Sequence, residues 1–216
     1  ALAELLIPEL ARCTASESRN RIGYLTRRSL KISLLYGLLL SGLIYLSSDS
    51  LCQLLYGSSE ASTQLKQYAI LIPILYCDAI TDAMTKGMGQ QKECIKYNII
   101  TSFMDVVLLY ILLPRYGMTG YFVSFAVTHL INFLLSLRRL LQITKQDIPF
   151  HIPAFSLAAA FLAVMLSRTL TSGLGRLAAF PALLISLLTL SQVLDREDVQ
   201  WIYRLCFSKK QRAAIK

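Results

Sequence analysis

KQYAILIPILYCDAITDAMTKGMGQQKECIKYNIITSFMDVVLLYILL, residues 66–113, decides how the rest of the chain is read. It holds an apolar segment from Tyr68 to Thr85, a polar turn from Lys86 to Lys92, and a second apolar segment from Ile95 to Leu113. At about 1.5 Å per residue, each segment can cross a hydrocarbon layer of about 30 Å. The turn is too short to hold a domain, so the spacing predicts an antiparallel transmembrane hairpin. Three carboxylates, Asp78, Asp82 and Asp105, lie inside these apolar runs. A carboxylate in lipid is costly and normally faces a bundle interior or a water-filled path.

The composition points the same way. Of the 216 residues 55% are hydrophobic and 16% charged, against roughly 25% charged in an ordinary soluble domain. The apolar residues form blocks separated by short charged stretches, the pattern of an all-α, polytopic transmembrane helical bundle. The net charge of +9 does not point to nucleic acid, because no basic face interleaved with aromatics accompanies it. Among the five cysteines no Cys/His spacing suits a metal, so neither a disulfide framework nor a zinc site is expected.

Outward from the hairpin, Ile32 to Ser48 and residues 120–137 read as further spans, and Ile152 to Ser167 with Leu177 to Leu194 as a terminal hairpin turning at Gly173 and Gly175. Ala1 to Leu10 covers about 15 Å of helix, half a crossing, and reads as the end of a helix begun upstream. The expectation is about six complete spans plus a truncated N-terminal helix. Pro8 is expected to kink or end that helix, and Pro114 to end the span before it. Arg12 to Lys31 reads as a basic loop, Asp49 to Leu65 as an outer connection, and Lys145 to Pro153 as an inner one. The mid-span Pro73 reads either as a bend that frees a carbonyl or as a static kink, and Gly37 and Gly42 as close-packing points. Val199, Ile202, Leu205 and Cys206 recur at helical spacing ahead of Lys209 and Lys210, predicting an amphipathic tail drawn to anionic membrane lipids. The organisation expected is therefore 1–145, a core of spans; 146–194, an extra hairpin; and 195–216, a basic tail.

Orientation follows from counting cations. Of the 22 Lys and Arg, only Lys66, Arg115, Arg168 and Arg176 fall in outer segments, and eighteen fall inside when both ends are cytoplasmic.

Depth along the helices brings Asp78, Asp105 and His129 near mid-membrane on three successive spans, with Asn132, Asp82 and Asn98 within a turn or two. Two readings fit these groups. They hydrogen-bond between helices as structural glue, or they line a hydrophilic transport cavity. Arg27 and Arg28, at the mouth of a span, read either as topology cations or as a dock for an anionic headgroup. The short loops carry no nucleophile, acid or metal constellation, which argues against an enzyme.

Lys86-Gly87-Met88-Gly89-Gln90-Gln91, the run Tyr97 to Ile100, and Asp105 through Leu113-Pro114-Arg115-Tyr116-Gly117 resemble the stage V sporulation protein B-like flippases. With Leu54-Leu55-Tyr56-Gly57 and Leu6 to Leu10, the resemblance covers most of residues 1 to about 145. The wider group is the multidrug/oligosaccharidyl-lipid/polysaccharide exporter superfamily. The resemblance implies one C-terminal lobe of a two-lobed, alternating-access carrier in the bacterial cytoplasmic membrane, whose partner is an N-terminal lobe of the same protein. It implies a polyprenyl-pyrophosphate-linked saccharide as substrate, a coupling cation (Na+ or H+) bound by Asp105 with help from Thr128, and no other cofactor. An ion-coupled multidrug exporter of the same superfamily and a non-transporting scaffold for wall synthesis are the alternatives.

Overall fold

The structure, a computed structural model, describes residues 2–57, 61–146, 151–170, 173–195 and 198. Helices α1 (Leu2–Ala15), α2 (Arg19–Tyr56), α3 (Ser62–Gly87), α4 (Gln91–Tyr116), α5 (Met118–Thr144), α6 (His151–Arg168) and α7 (Gly173–Leu190) account for nearly all of it, and no strand occurs among the described residues. Five of them, α2 to α6, are long and apolar enough to cross a membrane, while α7 has the composition but a shorter apolar length, over Gly175–Leu190. The expected hairpin is present: α3 and α4 are joined through Met88, Gly89 and Gln90, with Gly89 at φ +77° making the reversal.

Several boundaries differ from the sequence expectation. The basic stretch Arg12 to Lys31 is not a loop: only 16–18 break the helix, and α2 runs 38 residues from Arg19, about 57 Å. Polar side chains on its first turns read as loop by composition, yet Leu25, Thr26, Ser29, Leu30 and Ser33 form a buried stripe that holds the segment helical. At its other end α2 runs on through the first half of the outer connection, to Tyr56, and α3 takes up its end from Ser62. Leu54, Leu55 and Tyr56, 80%, 70% and 72% exposed, are the last turn of α2, and Gly57 at φ +66° caps it.

Proline ends no helix where it was expected to. Pro8 sits on the exposed side of α1, whose Leu6, Leu10 and Cys13 are buried, so packing outweighs one lost backbone bond. Pro114 falls in the last turn of α4, which continues to Tyr116 and stops at Gly117 with φ +57°. Pro153 is the third residue of α6, where a missing N–H costs nothing, and α6 therefore starts before it. The terminal hairpin is also shifted: Gly173 and Gly175 belong to α7, which ends at Leu190 rather than Leu194. The predicted amphipathic tail, Val199 to Lys210, lies outside the described residues.

The chain divides into two compact units, Ala1–Pro149 and Phe150–Lys216. In the second, α6 and α7 pair, burying Ala159, Ala160, Ala163, Phe180 and Leu184. In the first, α3 is central and packs on α1, α2 and α5, and α5 in turn packs on α4. Two contacts are set by glycine. A Cβ on Gly37 of α2 would lie 2.7 Å from Pro73 Cα, and one on Gly120 of α5 would run into the Leu112 carbonyl oxygen of α4. Helix α3 passes through Pro73 unbroken, so its bulk is met by the missing side chain opposite.

Gly120→Leu is expected to destabilise the chain by about 1–3 kcal/mol, since backbone atoms must move to admit the side chain. Gly173→Ala, which meets nothing within 4 Å, is expected to stay within about 0.5 kcal/mol. Reversible unfolding in mixed micelles reads both.

Candidate functional site

The buried face of α5 is Gly120, Ser124, Thr128, Asn132, Ser136 and Leu140, one residue every fourth position. Residues four apart share a helix face, so small and polar side chains form one continuous stripe. Small side chains let neighbouring helices approach closely, and the polar ones carry donors into the contact.

Two carboxylates meet this stripe at different levels. From α3, Asp78 accepts hydrogen bonds from Asn132 Nδ2 at 3.0 Å (Oδ1) and 3.3 Å (Oδ2), and its Oδ2 lies 3.4 Å from His129 Nδ1. Asp78 and Asn132 are each 8% exposed, while the His129 side chain is 37% exposed with its ring 4.3 Å from that of Phe125. From α4, Asp105 Oδ1 accepts from Ser124 Oγ at 2.6 Å and from Thr128 Oγ1 at 3.4 Å, and Asp105 is half-buried. Thr128 also donates to the Ser124 carbonyl of its own helix at 2.9 Å.

Asp82 has a different setting. Its Oδ2 pairs with Lys86 Nζ at 2.6 Å, one turn along α3, and its Oδ1 is buried. A lysine from the last turn of α3 thus serves this carboxylate, while hydroxyl, amide and imidazole side chains of α5 serve Asp78 and Asp105. Asn98 is half-buried on α4, on the same face as exposed Ser102 and Asp105 (98, 102, 105), and its carbonyl accepts from Thr101 Oγ1 at 3.3 Å. Arg27 is exposed and donates to Gln146 Oε1 at 3.4 Å. Arg28 is 7% exposed, its guanidinium 5.1 Å from the centre of the Tyr24 ring, so of the two arginines only Arg27 presents itself at the surface.

The structure therefore brings Asp78, His129 and Asn132 into one cluster and Asp105 with Thr128 into a second. It leaves Asp82, Asn98 and the two arginines outside both. The sequence reading missed Ser124, the shortest partner of Asp105, and it missed Ser136 and the link from Arg139 Nη2 to Gln90 Oε1 at 2.6 Å. The four-residue spacing from Gly120 to Ser136 was the available signal. No group of three or more His, Cys, Asp or Glu suited to a metal occurs among the described residues. Cys13, Cys52, Cys77 and Cys94 are buried thiols.

Energetics weigh on what the first cluster is for. An Asp at the centre of a membrane helix costs about 2.5–3.5 kcal/mol, whereas an interhelical side-chain bond there returns about 0.6 kcal/mol on average. One amide and one imidazole contact offset part of that cost, and burial between α3 and α5 keeps Asp78 out of contact with acyl chains.

This fold defines a class: an all-α, polytopic bundle with helices built to cross a membrane. Compared with known protein families, curated proteins and solved structures, the chain matches none.

A double-mutant cycle of Asp78→Asn and Asn132→Leu is expected to give a coupling of about 0.6–1.7 kcal/mol. The same cycle between Asp82→Asn and Asn132→Leu is expected to give a smaller coupling than the Asp78 pair, because Asp82 is served by Lys86.

Proposed function

We propose that the chain is one lobe of a membrane flippase that moves a polyprenyl-pyrophosphate-linked saccharide between leaflets by alternating access. The reading rests on one observation above all. Two carboxylates at mid-helix, on α3 and α4, are met by hydroxyl, amide and imidazole groups of α5. Carboxylates met by hydroxyl and amide groups rather than by a lysine or arginine leave the place of a positive partner open to a mobile cation. The resemblance in residues 1 to about 145 supports the substrate class and a bacterial cytoplasmic membrane, and the distribution of Lys and Arg supports both ends of this chain lying inside.

In this mechanism no covalent step is needed. Asp105, with Thr128 and Ser124, binds the coupling cation, Na+ or H+; protonation or cation binding changes which oxygen the two hydroxyls serve. Asp78, His129 and Asn132 hold a second charge at the α3–α5 seam, so occupancy of either site alters the fit of α5 against its neighbours. The shared helix is the coupling element. A second lobe, the N-terminal half of the same protein, supplies the opposite wall, and Arg27 approaches the pyrophosphate from one membrane surface.

A second reading has its own observation. Tyr68, Tyr121 and Phe125 pack together beside His129, with Tyr68 and Phe125 ring centres 5.9 Å apart, forming an aromatic wall that ends at Asp78. Flat organic cations bind such walls, as in an ion-coupled multidrug exporter. Rescue of wall or cortex synthesis supports the flippase, and resistance to cationic dyes supports the exporter. Rescue that survives neutral replacement of both carboxylates would favour a scaffold.

Asp105→Asn and Asp78→Asn are each expected to lower transport at least about tenfold, a loss of about 1.4 kcal/mol, with membrane levels unchanged. Undiminished complementation by both variants would overturn the reading. Ser102→Cys, on the Asp105 face of α4, is expected to react with an aqueous maleimide in intact membranes, and protection from the reagent would argue that this face meets lipid.

A further inference from the structure

The C-terminal turns of α5 carry an open groove of about 540 Å³ that neither carboxylate cluster uses. Its lining is graded along the helix. Leu134, Leu137 and Leu141, at three- and four-residue spacing, form an apolar row. Beside them Arg138, Gln142 and Lys145 form a polar row, and Gln146 closes the end, held by the Arg27 guanidinium at 3.4 Å. The lining has two cations and no acid. Lys145, at φ +51°, is the C-cap of α5, where the helix dipole places about half a negative charge. Two full cations outweigh it, so the groove is attractive to an anion.

We propose that this groove binds the phosphate headgroup of an anionic membrane lipid, with Arg138 and Lys145 on the phosphate, Gln142 and Gln146 donating to its ester oxygens, and the first acyl methylenes along the leucine row. The grading commits the site to a lipid. Soluble phosphate has no use for Leu134, Leu137 and Leu141, whereas an amphiphile matches an apolar row that begins at Leu134 beside a polar row that ends at Lys145. Juxtamembrane cations are worth about 1 kcal/mol each against an anionic lipid surface, and here two converge on one groove. The site requires that α5 span a membrane, and it stands whether or not the chain transports anything.

The 216-residue chain, reconstituted in phosphatidylcholine nanodiscs with a trace of photoactivatable phosphatidic acid, tests it. Cross-linking is expected on residues 134–146 and is expected to fall roughly 10- to 30-fold in R138Q/K145Q. The charge-preserving R138K/K145R, which guards against a folding artefact, is expected to retain it. Labelling of R138Q/K145Q within twofold of the parent, or equal labelling by a neutral phosphatidylcholine probe, overturns the proposal. Displacement of the probe by soluble pyrophosphate as effectively as by unlabelled phosphatidic acid would show a phosphate site without a lipid component, and that also overturns it.

Discussion

The structure depends on the stripe that α5 turns inward. Between helices in lipid there is little hydrophobic driving force, so association rests on close packing and on hydrogen bonds across the contact. Gly120, Ser124, Thr128 and Asn132 supply both at once. Their small size brings α3 and α4 close, and their donors reach the one carboxylate that each of those helices aims at the seam. Thr128 has a default partner as well: it bonds to the Ser124 carbonyl one turn back, so it is satisfied whether or not Asp105 accepts from it. A contact of this kind can be exchanged at low cost, which a lysine–carboxylate pair cannot.

The two carboxylates differ in how firmly they are held. Asp78 is enclosed, with an amide that reaches both its oxygens and an imidazole on one side. Asp105 is half-exposed on α4, a helix that buries little beyond Cys94 and Thr101 and leaves Phe103, Val106 and Tyr110 uncovered. Rigidity sits at α3, where Met84, Ala69 and Leu71 are packed between α1, α2 and α5, and exposure sits at α4. An arrangement in which one anion is locked and its neighbour is open places the more adaptable site at the edge of the bundle.

Much of the fold was legible in the residues because hydrophobic blocks of 18 or more leave few alternatives to spanning helices. The hairpin 66–113, its turn and the mid-depth placing of Asp78, Asp105 and His129, with Asn132 close by, follow from that spacing, whereas the separation of Asp105 from the Asp78 cluster does not. Boundaries were harder for definite reasons. A basic stretch such as Arg19 to Lys31 reads as loop by composition, and only the buried stripe from Leu25 to Ser33 reveals it as helix. Proline was given too much weight: at Pro8 packing overrides it, and at Pro114 and Pro153 it falls in terminal turns that tolerate it. Pairing was the least legible of all. That Asp82 turns to Lys86, or that Arg28 lies over Tyr24, depends on rotamers that no periodicity reports.

The length of α2 has a mechanical consequence. Gly37 meets Pro73 with no side chain between the two backbones, which makes that crossing a natural fulcrum. From it to Arg19 the rod extends about 27 Å, so a tilt of about 10° would swing the cationic end by about 5 Å. A small rearrangement deep in the bundle would thereby be magnified towards the cationic end of the helix, on the side where Arg27 reaches Gln146.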